Sequence, residues 1–297
     1  MSAQHRRTDF MALVFAVVAV SLSGPMIAAT DAPSLAIAFW RNAIASVVML
    51  PFLIRSWPLL RSTQRSHWFA MMLAGVLLGL HFAFWIPSLR YTSIAASTAL
   101  VATQVVWAAL LAYIAGHRAP RREWIGIAVA LLGVIVLTGI DVSLTHRALI
   151  GDTLALLGAM GSASYMHVGQ RVRPSLPLST YTSVVYTTAA ITLFIICMAG
   201  SVQMTGYSTH AWLLIIGVTA VAQFGGHTLL NMALRSFSAT AVSIAILLEM
   251  PGSTLVGWVW PGQTPPLALL PAAALILFGL SLVIRGNPAA SVDTDAA

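Results

Sequence analysis

The stretch Ser88-Leu89-Arg90-Tyr91-Thr92-Ser93-Ile94-Ala95-Ala96 returns 145 residues later as Ala233-Leu234-Arg235-Ser236-Phe237-Ser238-Ala239-Thr240-Ala241. The same offset sets Gln104 against Glu249. One residue of slippage aligns Gly133 with Gly279, and Gly79-Leu80-His81 with Gly225-Gly226-His227. The chain therefore reads as two related halves, 10–140 and 151–286. They are joined by 141–150, preceded by a short N-terminus at 1–9 and followed by a polar, disordered tail at 287–297.

Composition says what kind of halves these are. Hydrophobic residues make up 59% of the 297 positions and charged residues 8%, against about 45–50% and 25% in soluble domains. So few charges cannot clothe a soluble surface, and a disordered chain needs the opposite balance. A polytopic membrane protein remains. Its net charge of +7 is then read loop by loop and not as a nucleic-acid footprint. All fifteen basic residues are arginine. Without lysine there is no Walker-type ATPase and no Schiff-base or pyridoxal chemistry, and no cofactor is implied. The single cysteine, Cys197, forms neither an internal disulfide nor a multi-cysteine metal site.

A membrane helix needs about 20 apolar residues. Ten stretches qualify: 10–29, 34–54, 67–89, 91–115, 124–140, 151–169, 178–199, 211–231, 237–259 and 267–284. Continuous runs such as Ala128 to Leu137 lack the alternation of a barrel strand. The predicted fold is thus an all-α membrane protein of ten transmembrane helices. With a cytoplasmic N-terminus, twelve arginines fall on the inner side, and only Arg90 and Arg147 on the outer. The positive-inside rule then places both termini in the cytoplasm, as expected of a multi-pass protein of the cell's inner membrane. Five spans per half is an odd number, so the second half enters the bilayer in the opposite sense to the first. Inverted five-helix repeats around a midplane site are a construction of secondary transporters.

The chain also resembles a known group, the drug/metabolite transporter superfamily, and within it the ten-helix exporters with two EamA-type halves. The similar features are Phe39-Trp40-Arg41 in span two, Leu89-Arg90-Tyr91-Thr92-Ser93 opening span four, and Leu234-Arg235 before span nine. Glu249-Met250-Pro251 looks like the group's Glu-Pro element with one residue inserted, and Gly133 and Gly279 match its glycines in spans five and ten. The first half departs with Gln104-Val105-Val106, and Gly116-His117 and Gly262-Gln263 lack the usual acidic residue. The resemblance implies export of small metabolites by alternating access, from a cavity lined mainly by spans one, three, four, six, eight and nine. Among relatives the chain looks most like aromatic amino acid exporters.

Only Arg41 and Glu249 are formal charges inside spans, and such residues face a protein interior or wet cavity. Glu249 reads equally as a contact for a substrate amine, as a proton-coupling carboxylate, or as a cap for backbone groups freed by Pro251. Arg41 is expected to snorkel outward or to pair with Asp31, with a substrate carboxylate as the other option. His81 and His227 occupy matching repeat positions, toward the outside and the inside respectively. Each reads either as a substrate contact or as a histidine satisfied by a neighbouring helix, and no metal is expected there. Trp85 follows His81 by one turn, Trp107 lies three residues past Gln104, and Tyr165 follows a run of small residues. These suit stacking on a planar substrate, or alternatively the aromatic belt at the membrane surfaces. The expected substrate-binding set is His81, Trp85, Gln104, Trp107, Tyr165, His227 and Glu249. Gly24, Pro25 and Pro251 are the expected hinge or gate residues. Trp57, Trp68, Trp124, Trp212, Trp258 and Trp260 sit near span ends and read as belt.

The function expected is secondary export of small, largely apolar metabolites, foremost aromatic or other hydrophobic amino acids. The partners are a small-molecule substrate and membrane lipids. Purines or cationic drugs are alternative cargoes. A membrane-embedded acyl or prenyl transferase is the alternative in another class, but the loops offer mostly isolated arginines and no acid cluster. A cation channel would want acidic rings.

Overall fold

The computed structural model describes residues 3–92, 94–139, 145–259 and 266–286. Trp260, the tail 287–297 and the first part of the connecting segment lie outside them. Among the described residues every regular element is helical. In hydrocarbon an apolar run has no partner for its backbone but itself. The helices are α1 (Ala3–Ser21), α2 (Ser23–Ala28), α3 (Ser34–Arg55), α4 (Trp57–Ser62), α5 (Arg65–Tyr91), α6 (Ile94–Ala102), α7 (Gln104–Ile114) and α8 (Arg121–Thr138). The second half holds α9 (His146–Val172), α10 (Leu178–Ala199), α11 (Thr209–Val218), a π-helix (Thr219–Thr228), α12 (Leu229–Ala233), α13 (Ala239–Ile246), α14 (Glu249–Val259) and α15 (Leu269–Gly286).

Among the described residues seven segments are long and apolar enough to cross a membrane on length and composition alone, and α15 is a shorter apolar helix. The remaining two spans are α8, with Arg121, Arg122 and Glu123 in its first turn, and α9, diluted by glycine and serine. Together they make the ten-helix, two-repeat architecture. Several boundaries differ from the sequence reading by a few residues, and α1 begins at Ala3, inside the expected N-terminal segment. The helix of span six begins at His146, inside the segment expected to connect the halves, because Thr145 Oγ1 accepts from Ala148 N at 3.2 Å and caps it there.

Among the described residues four spans are interrupted; the breaks in spans four and nine are repeat counterparts, whereas spans six and three, the counterparts of one and eight, run unbroken. Span one breaks at Leu22, between α1 and α2. Span four breaks at Thr103 and span nine at Leu247-Leu248, so Gln104 and Glu249 each open the second half-helix of their span. Pro251 stands in the first turn of α14, where a missing N–H is tolerated. Span eight carries the π-helix instead of a break. Groups freed by these breaks find partners across helices: Ser253 Oγ of α14 donates to the Ser21 carbonyl at the end of α1, at 2.7 Å.

The packing obeys an inverted pseudo-two-fold. Helix α5 packs on α9, and its counterpart pairing joins the π-helix and α12 to α1. The self-related pairs are α3 with α10 and α8 with α15. In the last pair a Cβ on Gly126 would lie 2.7 Å from the Gly279 carbonyl oxygen, and one on Gly133 would lie 2.8 Å from that of Ala272. Numbers rise on one helix as they fall on the other, so related helices run antiparallel. Gly75 and Gly79 seat α5 on α10, and Gly158 and Gly161 seat α9 on Trp85 and His81 of α5. These are small-residue contacts of the kind that let membrane helices approach.

The two repeated arginines take different partners, both in the N-terminal part of the chain. Arg90 donates to Ser34 Oγ at 2.9 Å and to the Ala32 carbonyl at 3.0 Å. Its counterpart Arg235 forks onto the fully buried Asp9 at 2.9 and 3.2 Å, and Ser236 Oγ donates to the same carboxylate. Asp9→Ala strands those donors. Because Arg235 is about one-third exposed, solvent screens part of the loss, and the expected destabilisation is about 1–2 kcal/mol. A detergent melting curve measures it, and an unchanged midpoint would show that this ion pair contributes nothing to the fold.

Candidate functional site

The interruptions converge on one cavity of about 40 Å³. Span one contributes Val20 and Ser23, span two Arg41, span three His81 and Trp85, and span four Val101 and Gln104. Ser162 and Met166 enter from span six, His227 and Leu230 from span eight, Ile246 and Glu249 from span nine. Both halves therefore build it, with span two added to the six expected. That volume holds a water or so, whereas metabolite-sized sites run to about 300–1,000 Å³. The walls must part before a metabolite enters.

The first half supplies an aromatic shelf. His81 and Trp85 are one turn apart on α5, and their rings stack with centroids 5.6 Å apart and planes 8° from parallel. The His81 Nδ1 lies 2.9 Å from the Gly158 carbonyl oxygen. A carbonyl only accepts, so Nδ1 carries the proton, and in the neutral ring Nε2 is left as an acceptor. Gly158 is what allows this closeness, since a Cβ there would meet Trp85 Cβ at 3.1 Å. Phe82 then links the two repeat-related histidines, with centroids 5.0 Å from His81 and 5.3 Å from His227.

The second half supplies the polar scaffold, through the π-helix. Its wider turn brings Gln223 and His227 onto the cavity side of span eight, in keeping with the frequent use of π-turns at functional sites. The Gln223 carbonyl accepts from Thr228 Oγ1 at 3.1 Å and from Tyr186 OH at 3.3 Å. The Gln223 side chain bridges two residues of α3: Oε1 accepts from Arg41 Nε at 2.6 Å, and Nε2 donates to Asn42 Oδ1 at 3.1 Å.

Arg41 departs most from its sequence reading. It neither snorkels nor pairs with Asp31; it is fully buried, with Gln223 on Nε, Ser23 Oγ 3.4 Å from Nη1 and its guanidinium 4.5 Å over the Phe82 ring. The cause is tertiary: Gln223 comes from the other half and pulls the side chain inward. Glu249 lines the same cavity without forming an ion pair to it. Three buried polar atoms on cavity-lining residues have no hydrogen-bond partner: Arg41 Nη2, Trp85 Nε1 and His227 Nδ1. Buried polar atoms in folded proteins are nearly always bonded, so these three stand out on the cavity wall.

Of the expected set, His81, Trp85, Gln104, His227 and Glu249 meet at the cavity. Tyr165 lies behind it, buried and 6.5 Å from the His227 ring. Trp107 does not line it; on the same helix α7, Gln104 faces the cavity while Trp107 is only half-buried. Trp85 belongs to the cavity and not to the belt. Gly24 and Pro25 sit in α2 just past the break at Leu22, with Ser253 of α14 4.0 Å from the Gly24 Cβ position. Sequence reading missed Gln223 and Ser23. The available signal for Gln223 was its place one turn before His227 in an otherwise apolar span.

An all-helical membrane protein with two inverted halves, broken helices and a shared cavity has the construction of a membrane transporter. The EamA-like transporter family model matches residues 7–139 and again 149–285, and the chain belongs to that family, within the drug/metabolite transporter superfamily. It is similar to a protein named riboflavin transporter from Brucella anthropi, 26% identical over 268 residues, which cover 86% of this chain and 89% of that one. A second protein of the same name, from Rhizobium johnstonii, is 28% identical over 258 residues, 86% of this chain and 82% of that one. A crystal structure 18% identical in sequence matches 96% of this chain and 99% of its own with a TM-score of 0.72, a likeness of fold alone.

Proposed function

We propose that this transporter carries a small planar aromatic metabolite, outward from the cytoplasm, by rocking its two halves around the central cavity. The observation that carries the reading is the His81–Trp85 shelf, set in a cavity that both halves build. A flat ring lying on that shelf gains stacking contact, while polar groups on its rim meet Arg41 Nη2, Trp85 Nε1 and His227 Nδ1. Differential affinity of the two cavity states, with any ion gradient, sets the direction. Both termini are then cytoplasmic, following the arginine bias, and Gly24-Pro25 and Pro251 serve as the hinges where spans one and nine bend.

Riboflavin is the first cargo to test, because its ring system is flat and two relatives bear its name. An aromatic amino acid is the second, favoured by one observation: a guanidinium and a carboxyl group, Arg41 and Glu249, line the same cavity. The test is uptake of labelled riboflavin, tryptophan, threonine and a purine into proteoliposomes, with and without a pH gradient. Saturable uptake of riboflavin or tryptophan, with threonine left behind, supports the reading. Uptake of neither aromatic rejects it.

The same assay separates the two cargoes through Glu249→Gln. If the carboxylate holds a substrate ammonium, tryptophan uptake falls by about tenfold, the worth of a charged hydrogen bond, and riboflavin uptake changes little. Unaltered uptake of tryptophan at every pH would assign Glu249 to capping the break at Leu247-Leu248.

A further inference from the structure

We infer that Arg41 selects the substrate, and that the substrate presents to it a flat acceptor edge bearing full or partial negative charge, a carboxylate or an imide carbonyl on an aromatic frame. This rests on the planar-aromatic reading and adds the chemistry of the substrate's polar end. Arg41 is fully buried. Its Nε is fixed by Gln223, its Nη1 faces Ser23, and the Phe82 ring supports its flat side. Its Nη2 has no hydrogen-bond partner. A buried cation short of acceptors destabilises a protein unless something else supplies them.

The obvious internal acceptor is Glu249, yet no ion pair joins them. The other titratable groups on the cavity, His81 and His227, make no bond to the guanidinium, and His81 spends its Nδ1 proton on the Gly158 carbonyl. The Gln223–Asn42 bond holds the Gln223 amide with its oxygen toward Arg41, so the guanidinium is oriented before any substrate arrives. A planar fork held in this way recognises a planar oxygen edge, a task for which lysine would be a poor substitute. The bond to Gln223 also joins span two to span eight, so the group that reads the substrate is tied to both halves.

The test uses the purified full-length protein in detergent and measures binding by calorimetry. The probes are indole-3-acetate, tryptamine and indole, which share one ring and differ in charge, together with riboflavin as the imide-bearing ring. The wild type is expected to bind indole-3-acetate about tenfold tighter than indole. Arg41→Gln should remove that preference and leave indole unaffected. Gln223→Glu should remove it too, by placing a carboxylate against Arg41 within the protein, and its new ion pair keeps the fold secure if Arg41→Gln does not fold. Loss of riboflavin affinity alone in these variants would identify the edge as an imide. Equal wild-type binding of indole-3-acetate and indole, with riboflavin unaffected in both variants, would overturn the assignment of Arg41 while leaving the shelf intact. If no ring compound binds, the planar-aromatic reading falls, and this inference with it.

Discussion

Trp85→Ala is expected to lower transport of the aromatic substrate about tenfold, chiefly through a raised KM. The indole forms half of the shelf, parallel to His81 within 8°, and its Nε1 is one of the unpartnered atoms on the cavity. Removing it costs the substrate one stacking face, worth about 0.5–1.5 kcal/mol, together with the apolar area it covers. Trp85→Phe keeps a ring there and should retain most of the activity. Trp107→Ala, outside the cavity, should leave KM where it was. Proteoliposome uptake over a range of substrate concentrations reads all three. Equal KM values for Trp85→Ala and the wild type would remove the shelf from the account.

Gly279→Leu is expected to cost about 3 kcal/mol or to prevent folding. A Cβ at that position would stand 2.4 Å from the Gly126 carbonyl oxygen and 2.9 Å from Ala130. Both obstacles belong to a packed helix that cannot yield locally, since α8 and α15 are the self-related pair on the pseudo-two-fold. Gly217→Ala meets only the far end of the Met26 side chain, at 2.5 Å, which can swing aside, so its cost should be small. Melting midpoints in detergent compare the two. A Gly279→Leu protein as stable as the wild type would mean that α8 and α15 do not meet at these glycines.

The sequence carried the repeat clearly, and the structure explains why. Gln104 and Glu249 open corresponding half-helices of spans four and nine. Those positions repeat because the local geometry repeats. Charge burial was legible only in part. Hydropathy flagged Arg41 as anomalous, but its direction depends on Gln223, 182 residues away, and no local pattern encodes that meeting. Helical spacing from Gln104 did not place Trp107 on the cavity either: the two share the unbroken helix α7, and only Gln104, at its first position, lines the cavity. Gln223 escaped notice because it reaches Arg41 from a π-turn, and an i+5 register leaves no simple apolar period to read.

The cavity between the two inverted halves is expected to open alternately to each face of the membrane. Ser162 lines it and is small, so a Ser162→Cys protein, with the buried native Cys197 replaced by serine, makes the most direct reporter. Labelling this cysteine with a membrane-impermeant maleimide, added from one side of the vesicle and then from the other, measures access to the cavity. The account predicts labelling from both sides, slowed by the transported substrate. Labelling from one side only, with or without substrate, would contradict it.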